Sequence, residues 1–372
     1  MNVLSLEHEK YRNLLQGEIF PSGGINVICG QNAQGKTNLL EALWLFTGAH
    51  SFRGAKDAEL TAFAGEGEKR FSKLKMRFES GGREQEAEIS IRGGRRTLTL
   101  NGIPQRSCGA LAGVFCAVIF SPEHLSLVKE GPMNRRNFLD SAICQIRPAY
   151  VKVINQYNRI LLQRNALLKD IVRHRELLDT IDIWDERLAN FGAQIICERV
   201  KYVQRLSPRV KNIYDGISTQ KENMDLVYRS TVENPEEEHA VVRAALREKL
   251  KKHLEDDIRM GSTCCGPHRD DLELLVNGIS ARSFASQGQQ RSAVLAMKLA
   301  EAEILGELCG EEPVILLDDV LSELDQSRQD YLLNHLVGRQ VFITCCSPEN
   351  TRLLKKGTIF CIEEGRVSAD AV

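Results

Sequence analysis

Hydrophobic residues follow two different periods along the chain, and the first is the two-residue period of a strand. Between residues 70 and 103, Leu74, Met76 and Phe78 alternate with charged residues, and Ala87 to Ile91 repeat the pattern. Three turn signals separate the runs: Gly81-Gly82, Gly93-Gly94 and Asn101-Gly102. This pattern predicts an antiparallel meander.

From about residue 135 to residue 256 the period becomes helical. Apolar residues recur at steps of three, four or eight in one stretch: Trp184, Leu188, Phe191, Ile195, Val203 and Leu206. We expect breaks at Pro148, Pro208 and Asp215-Gly216, because proline and glycine interrupt helices. A segment of roughly 120 residues is long enough for a helical lobe but too short for an arm of tens of nanometres.

Mixed patterning returns after residue 262. Alternation over 272–276 runs into Asn277-Gly278, which is a hairpin signal. A helical stretch follows over 289–308, and then four apolar residues, 314–317, predict a short strand buried on both faces. Two further strands are predicted over 340–344 and 358–362. We interpret the chain as one α/β nucleotide-binding domain that is built from both chain ends and interrupted by a helical insertion.

Composition and charge restrict the class of protein. The chain has 372 residues and a formal net charge of −1, so any nucleic-acid contact must come from a local basic patch. We expect a soluble, cytoplasmic protein without a membrane partner, because no apolar run is long enough to span a bilayer and the first residues lack a signal-peptide pattern. Eleven cysteines without a C-x-x-C spacing indicate buried thiols rather than a disulfide framework or a zinc site.

Residues 30–37 carry the most specific motif, a complete G-x-x-x-x-G-K-[ST] phosphate loop. It follows the apolar run 25–29 and opens the helical stretch 38–44, so it lies between a strand and a helix. In that context glycine backbone N–H groups surround phosphate oxygens at the positive end of the helix. Lys36 is expected to reach the β- and γ-phosphates and Thr37 to ligate Mg²⁺. The predicted ATP-binding residues are Gly30, Gln31, Asn32, Ala33, Gln34, Gly35, Lys36 and Thr37.

A second element of the nucleotide site follows the buried strand 314–317. Asp318 and Asp319 come directly after the four apolar residues, which is the Walker B arrangement. We expect Asp318 to hold Mg²⁺ opposite Thr37, and Asp319 to orient or deprotonate the attacking water. Alone, these acids could be two solvated residues at a strand end. The phosphate loop favours the catalytic interpretation.

The motif 286–289 decides the subclass of ATPase. Ser286-Gln287-Gly288-Gln289 is similar to the S-G-G-Q signature of ABC-type ATPases, with Gln287 in place of a glycine. In those proteins the helix that begins with the signature serine contacts the γ-phosphate bound to the other subunit. The similarity therefore implies that Ser286, Gly288 and Gln289 contact ATP in trans. Asp325, in the stretch after Walker B that matches the D-loop of the same proteins, is assigned to the same contact. Standing alone, the four residues 286–289 could be a polar helix cap.

Together these motifs resemble the RecF family of bacterial recombination and gap-repair ATPases, which is related to SMC proteins. Further matching stretches carry the likeness over nearly the whole chain: 30–41, 51–53, 130–136, 266–271, 286–291 and 316–325. The resemblance implies an ATP-dependent homodimer on double-stranded or gapped DNA that helps to load the RecA recombinase with RecR and RecO.

Three departures from the family pattern bear on activity. Ala33 stands where the family usually has glycine, a small cost if its φ is negative. No histidine follows Thr344 to act as a switch residue, and no Q-loop glutamine occurs near Ser121-Pro122-Glu123. Thr344 or a neighbour is a candidate γ-phosphate contact instead. These absences indicate slow hydrolysis, a weak ATPase that uses ATP as a switch.

The resulting fold class is α/β, an ABC-type P-loop ATPase head with an antiparallel β subdomain and a helical insertion lobe. We divide the chain into an ATPase lobe with phosphate loop and meander (1–128), a helical insertion for DNA or partners (129–258), and a second ATPase lobe with signature, Walker B and D-loop (259–372). The rival assignments are an ATPase subunit of a transporter-like complex, another SMC-like complex, and a metabolic P-loop kinase, which does not account for the signature.

A basic segment is the candidate DNA-binding region. Residues 129–176 carry ten Lys or Arg and four acids, an excess of +6 in a chain of net −1. Such asymmetry is typical of a phosphate-backbone contact, although a solvated helix face has the same pattern. The candidate contacts are Arg53, Lys56, Arg135, Arg136, Arg159 and Arg164. His268 is interpreted as a hydrogen-bonded structural histidine.

Overall fold

The chain divides into two compact units, of which one contains both ends of the sequence. The computed structural model describes residues 1–62, 70–218, 222–233, 235, 238–346 and 357–371. Unit 1 comprises Met1–Leu125 and Val294–Val372, and unit 2 comprises Ser126–Ala293. Unit 1 is thus built from both ends of the chain, as expected for the α/β nucleotide-binding domain. The proposed division at 258/259 differs from the structure, because residues 259–293 belong to unit 2.

Unit 1 contains the sheet that presents the nucleotide motifs. Its order is β15-β14-β3-β13-β12-β8, parallel except for β15. The strands are β3 (Ile25–Cys29), β8 (Ala117–Phe120), β12 (Val314–Leu317), β13 (Val341–Cys345), β14 (Gly357–Glu363) and β15 (Arg366–Ala371). β8 and β12 are buried along their whole length, which explains their uninterrupted apolar runs. The helices of this unit include α1 (Lys36–Leu45) and α10 (Gln326–His335).

A second sheet of unit 1 is the predicted meander extended by the N-terminus. Its order is β2-β1-β4-β5-β6-β7, all antiparallel. The strands are β1 (Asn2–Glu9), β2 (Gly17–Ile19), β4 (Phe71–Ser80), β5 (Arg83–Arg92), β6 (Arg95–Leu100) and β7 (Ile103–Gln105). Leu74, Met76 and Phe78 are fully buried and join one hydrophobic core with Leu39 and Leu43 of α1. The meander and its three turns are confirmed.

Unit 2 is mostly helical, with a small sheet. Its elements are α2 (Ser126–Lys129), α3 (Pro132–Ile146), α4 (Pro148–Ile171), α5 (Ile181–Ser218), β9 (Met224–Arg229), α6 (His239–Lys252), α7 (Leu254–Met260), β10 (Asp271–Val276), β11 (Ile279–Ser280) and α8 (Ala281–Phe284). α9 (Gln287–Cys309) begins in this unit and ends in unit 1. No helix among the described residues combines the length and apolar character needed to cross a membrane.

Two features of unit 2 differ from the sequence prediction. α5 runs for 38 residues through Pro208 and Asp215-Gly216, so only the break at Pro148 is confirmed. Burial of Leu206, Val210 and Tyr214 on both sides of the proline compensates for the hydrogen bond that proline removes. The strand β9 was not predicted. It pairs antiparallel with β10, which is why residues 259–293 pack in unit 2.

His268 is held as a neutral, structural residue in unit 2. Its Nδ1 is 2.6 Å from the Tyr157 hydroxyl oxygen and its Nε2 is 3.0 Å from the Thr263 carbonyl oxygen. Burial is the main cause that lowers the pKa of His268 from 6.5 to about 4, and the hydrogen bond to Thr263 opposes it. The unfolded chain therefore binds a proton below about pH 6.5 that the folded protein does not accept until about pH 4.

Acid should destabilise the protein through this histidine. Because stability is lost as pH falls from about 6.5 towards 4, we expect His268 to cost about 2–3 kcal/mol of unfolding free energy at pH 4.5 relative to pH 7. In His268→Gln, whose amide can donate to Thr263 and accept from Tyr157, the acid-dependent loss should shrink by that amount. Urea unfolding at the two pH values measures it.

The exposed His174 supplies the matched control for this measurement. Because its imidazole is exposed, His174→Gln should stay closer than His268→Gln to the wild type in its loss of stability between pH 7 and 4.5. A His268→Gln protein that loses stability between pH 7 and 4.5 as steeply as the wild type would contradict the assignment.

Candidate nucleotide-binding site

The phosphate loop, residues 30–37, connects β3 to α1, and both of its glycines are required because other atoms approach them closely. Gly30 has φ +152°, and a Cβ there would lie 2.5 Å from the carbonyl oxygen of Ile362. Gly35 has φ +119°, and a Cβ there would meet the side chains of Asn13 and Leu14 at 2.8 Å. These contacts explain why the motif has glycine at both positions.

Ala33 adopts a conformation that L-amino acids seldom adopt. Its φ is +67°, in the left-handed region. The sequence predicts that alanine destabilises this turn only slightly, provided that its φ is negative. That expectation is wrong, because a non-glycine residue in the left-handed region destabilises the fold by about 1–2 kcal/mol. The Asn13 side chain donates from Nδ2 to the Ala33 carbonyl at 3.1 Å and so supports the strained turn.

Lys36 lies inside the curve of the loop. Its Nζ donates to the carbonyl oxygens of Gly30 at 2.7 Å and Gln31 at 3.0 Å, and lies 3.7 Å from the Cys346 sulfur. The Cys346 thiol in turn donates to Asn32 Oδ1 at 3.2 Å. The side chain is almost fully buried, so its charge is concentrated where an incoming phosphate would meet it.

The start of α1 is suited to bind an anion. Gly35 is the N-cap, and neither a side-chain cap nor an acidic residue in the first turn neutralises the helix terminus. The first backbone N–H groups and the positive end of the helix dipole therefore face the loop. Together with Lys36, these groups fit the phosphates of ATP.

The predicted metal ligands lie side by side, although they come from opposite ends of the chain. Thr37 Oγ1 donates to Asp318 Oδ1 at 2.9 Å, and Thr344 Oγ1 donates to the same oxygen at 3.1 Å. Burial raises the pKa of Asp318, and the hydrogen bonds from Thr37 and Thr344 oppose that rise. A hydroxyl and a carboxylate oxygen are hard ligands of the kind that Mg²⁺ prefers, so the pair fits this ion. Thr344 contacts Asp318 here, rather than standing free as a phosphate ligand.

Asp319, the predicted catalytic residue, is exposed beside Asp318. It has φ +54°, and its N–H donates to Thr344 Oγ1 at 2.8 Å. The Ser322 hydroxyl lies 2.9 Å from both the carboxylate and the carbonyl oxygen of Asp319. These contacts hold the unusual backbone conformation and leave the carboxylate accessible to water.

Ser286, Gly288, Gln289 and Asp325 all lie at helix starts. Ser286 and Gln289 cap α9 reciprocally: Gln289 N donates to Ser286 Oγ at 3.3 Å, and Ser286 N donates to Gln289 Oε1 at 2.7 Å. Asp325 caps α10 by accepting from Arg328 N at 3.0 Å, and that bond is the main cause that lowers its pKa. Ser286 and Asp325 are exposed and accessible to a second molecule, whereas Gly288 and Gln289 are half-buried. In the structure these residues therefore act as helix caps, which was the alternative interpretation of the signature. Capping of its own helix does not prevent Ser286 or Asp325 from contacting a nucleotide bound to a second copy of the chain.

Three of the six candidate DNA contacts are buried or half-buried within the protein. Arg164 is fully buried, donating to Asp185, Asp257 and Thr263. Arg135 is buried in a bidentate pair with Asp271 at 2.7 and 2.9 Å.

Arg136 is half-buried and donates to the Asp270 carbonyl at 2.7 Å. The prediction is wrong for Arg135 and Arg164, because neither guanidinium reaches the surface, and it is weakened for Arg136. Arg53, Lys56 and Arg159 are exposed, and Arg53 also donates to Asn38 Oδ1 at 3.1 Å.

Sequence reasoning missed the group that anchors α1. Glu41 is fully buried, and accepts from the Tyr11 hydroxyl at 2.9 Å, from Arg12 Nη2 at 2.8 Å and from the Ser51 hydroxyl. Burial is the main cause that raises the pKa of Tyr11 well above its usual value. Glu41 and Ser51 lie in the stretches 30–41 and 51–53, which carry the family resemblance. Tyr11 and Arg12 lie in a turn without a recognisable motif, so no sequence signal marked their contact with Glu41.

The chain is similar to proteins of one family over almost all of its length. The family described as RecF/RecN/SMC N terminal domain matches residues 2–364. A relative from Lachnoclostridium phytofermentans, named DNA replication and repair protein RecF, is 38% identical over 350 residues, 94% of each chain.

Two solved structures resemble this one. A structure of the recombination mediator protein RecF-ATPrS in the RecFOR pathway has a TM-score of 0.92 and 38% identity, covering 99% of this chain and 98% of that chain. An Smc head domain from Pyrococcus furiosus has a TM-score of 0.56 at 15% identity, covering 100% of this chain and 96% of that chain. The second likeness concerns the fold alone, and the predicted head fold is confirmed.

Relief of the strain at Ala33 should stabilise the protein. Ala33→Gly removes an unfavourable φ worth about 1–2 kcal/mol but makes the unfolded chain more flexible by about 0.4–1 kcal/mol. We expect a net gain of about 0.5 kcal/mol in a denaturant-unfolding measurement.

Ala166, exposed on α4, is the matched control. Ala166→Gly should lose about 1 kcal/mol, as glycine does in a helix interior. If the two glycine variants change stability in the same direction, the left-handed conformation at Ala33 is refuted.

Proposed function

The chain belongs to the RecF family, and from this we propose an ATP-dependent DNA-binding protein in which ATP joins two copies of the chain. The family assignment makes it a DNA replication and repair protein with a recombination-mediator role. The observation that carries the proposed mechanism is the convergence of Lys36, Thr37 and Asp318 at the carboxyl ends of β3 and β12.

Nucleotide binding follows from that convergence. Lys36 exchanges its bonds to the loop carbonyls for bonds to the β- and γ-phosphates, while the N–H groups at the start of α1 bind phosphate oxygens. Thr37 and Asp318 would hold Mg²⁺, and the ion would supply positive charge that offsets the negative charge of the phosphates. Asp318 would hold the ion only in its ionised form, and because burial raises its pKa, ion binding would begin to weaken at a higher pH than with an ordinary aspartate.

Hydrolysis is assigned to Asp319. Its exposed carboxylate can accept a proton from water or orient that water, and Ser322 keeps the carboxylate in place. No histidine occurs among residues 341–346, at the end of β13, where transporter-type cassettes have a switch residue. We infer slow turnover, in which hydrolysis releases the complex rather than driving transport.

Two copies of the chain would complete each other's sites. Ser286 and the N-terminus of α9 are exposed, as is Asp325 at the start of α10. In a closed twofold dimer each signature helix would reach the γ-phosphate held by the other copy, so ATP would contact both subunits. ATP then favours the dimer and, if DNA binds the dimer preferentially, also favours DNA binding.

The partners are inferred from the family. The relative structure is placed in the RecFOR pathway. We therefore propose that the protein acts at gapped double-stranded DNA with RecR and, indirectly, RecO, and helps to load RecA. The exposed residues of the basic segment are proposed to contact the DNA backbone, with Lys152 and Arg159 seven residues apart on one face of α4.

Dimer formation tests the nucleotide part of the proposal. In the presence of Mg²⁺ and ATP, we expect the wild type to change from monomer to dimer by light scattering. Lys36→Ala should stay monomeric because it no longer binds ATP. Ser286→Arg should also stay monomeric, yet bind ATP with a Kd within about threefold of the wild type, since Ser286 is proposed to contact only the ATP held by the other copy.

A control variant separates this effect from the charge that arginine adds. Ser107 is exposed and precedes a short helix without capping it, so Ser107→Arg adds the same side chain outside all motifs. It should dimerise normally. Dimerisation of Ser286→Arg at wild-type ATP concentrations would show that the signature helix does not bridge the subunits.

The salt dependence of DNA binding tests the proposed contact surface. Lys152→Glu combined with Arg159→Glu should weaken binding of duplex DNA, because two phosphate contacts are lost. The slope of log K against log salt should become shallower by about 2. Fluorescence anisotropy at several salt concentrations measures the slope.

Lys251→Glu combined with Lys252→Glu makes the same charge change on α6. This variant should retain the wild-type slope. Equal weakening by both pairs would mean that net charge, rather than α4, governs DNA binding.

A further inference from the structure

A pair of thiols adjoins the phosphate loop. Cys29 is the last residue of β3, immediately before Gly30, and Cys361 is its register partner on the parallel neighbour β14. Both residues are thiols in the structure, and their sulfur atoms are 2.9 Å apart. Paired strands bring Cα atoms to about 4.8 Å, within the range of about 4.4–6.8 Å that a disulfide spans.

β14 also forms one wall of the phosphate loop. The Ile362 carbonyl oxygen lies so close to Gly30 that a side chain there would collide with it. Two residues further on, Glu364 N donates to Gln34 Oε1 at 2.6 Å. The strand that carries Cys361 therefore touches the loop at its beginning, and the turn directly after the strand touches it in its middle.

We propose that Cys29 and Cys361 form a reversible disulfide that fixes the phosphate loop against β14 and weakens ATP binding. The inference rests on the proposed nucleotide site. Lys36 must exchange its bonds to the Gly30 and Gln31 carbonyls for bonds to phosphate. A covalent bond one residue before Gly30 restricts the backbone movement that this exchange requires.

Hydrogen peroxide is the oxidant that completes the chemistry. The half-buried Cys361 sulfur attacks one peroxide oxygen, and the O–O bond breaks to give a sulfenic acid and one water. The Cys29 sulfur, only 3% exposed, then attacks the Cys361 sulfur, and a second water leaves as the S–S bond forms. Two thiols lose two electrons and two protons, and peroxide becomes two waters. A dithiol reductant reverses the bond by exchange.

The experiment measures the cross-link and ATP affinity on the same full-length protein. After peroxide treatment and removal of excess oxidant, peptide mass spectrometry should find Cys29 joined to Cys361. The Kd for ATP with Mg²⁺ should rise at least tenfold and return to its starting value with dithiothreitol. Saturating ATP present during oxidation should slow the cross-link, because coupling between two sites is reciprocal.

Two serine variants separate this pair from the other thiols. Cys361→Ser retains Cys29, Cys346 and the rest, and should keep its ATP affinity after oxidation. Cys309→Ser removes one member of a second close pair, Cys116 and Cys309, whose sulfurs are 3.7 Å apart, and should respond like the wild type.

Absence of the Cys29–Cys361 peptide, an unchanged Kd in cross-linked protein, or a loss of affinity that persists in Cys361→Ser would each overturn the inference. If the reduced wild type does not bind ATP, the proposed nucleotide site itself is refuted. The proposed regulation of ATP binding by the disulfide is then refuted as well, whether or not mass spectrometry finds the cross-link.

Discussion

The hydrogen bond between Thr37 and Asp318 joins residues that are 281 positions apart, and the rest of the nucleotide site depends on that closure. It forms because β3 and β12 both pair with β13, so their carboxyl ends lie at one edge of the sheet. The N-terminal part supplies the phosphate loop and the C-terminal part supplies the metal-binding carboxylate. A chain that folds this way can carry a long insertion between the two parts without changing the chemistry.

The second constraint is the arrangement of charge in unit 2. Arg164 and Arg199 are buried, and each is compensated by carboxylates: Asp185 and Asp257 for Arg164, and Asp140 for Arg199. Buried charges of this kind are tolerated only when they are paired. Part of the basic excess of residues 129–176 is therefore used inside the fold, and only its exposed remainder is available for a phosphate backbone.

Motifs with local geometry could be predicted from sequence, whereas contacts made by distant partners could not. The phosphate loop, the meander and the strand before Asp318 were each predicted correctly, because glycine position and hydrophobic period determine them locally. β9 was missed because its pairing with β10 is non-local, and Pro208 was misjudged because packing outweighs propensity in α5. Burial of Arg164 and the positive φ of Ala33 likewise depend on neighbours that the local pattern does not reveal.

Complementation between two inactive variants tests most directly whether each ATP is shared by two chains. Lys36→Ala lacks a working phosphate loop and Ser286→Arg lacks a working signature helix, but a mixed dimer contains one site with both parts intact. Equal amounts of the two variants should therefore form ATP-dependent dimers and recover up to about half of the wild-type ATPase activity. A mixture that remains as monomeric and inactive as its components would contradict the shared site.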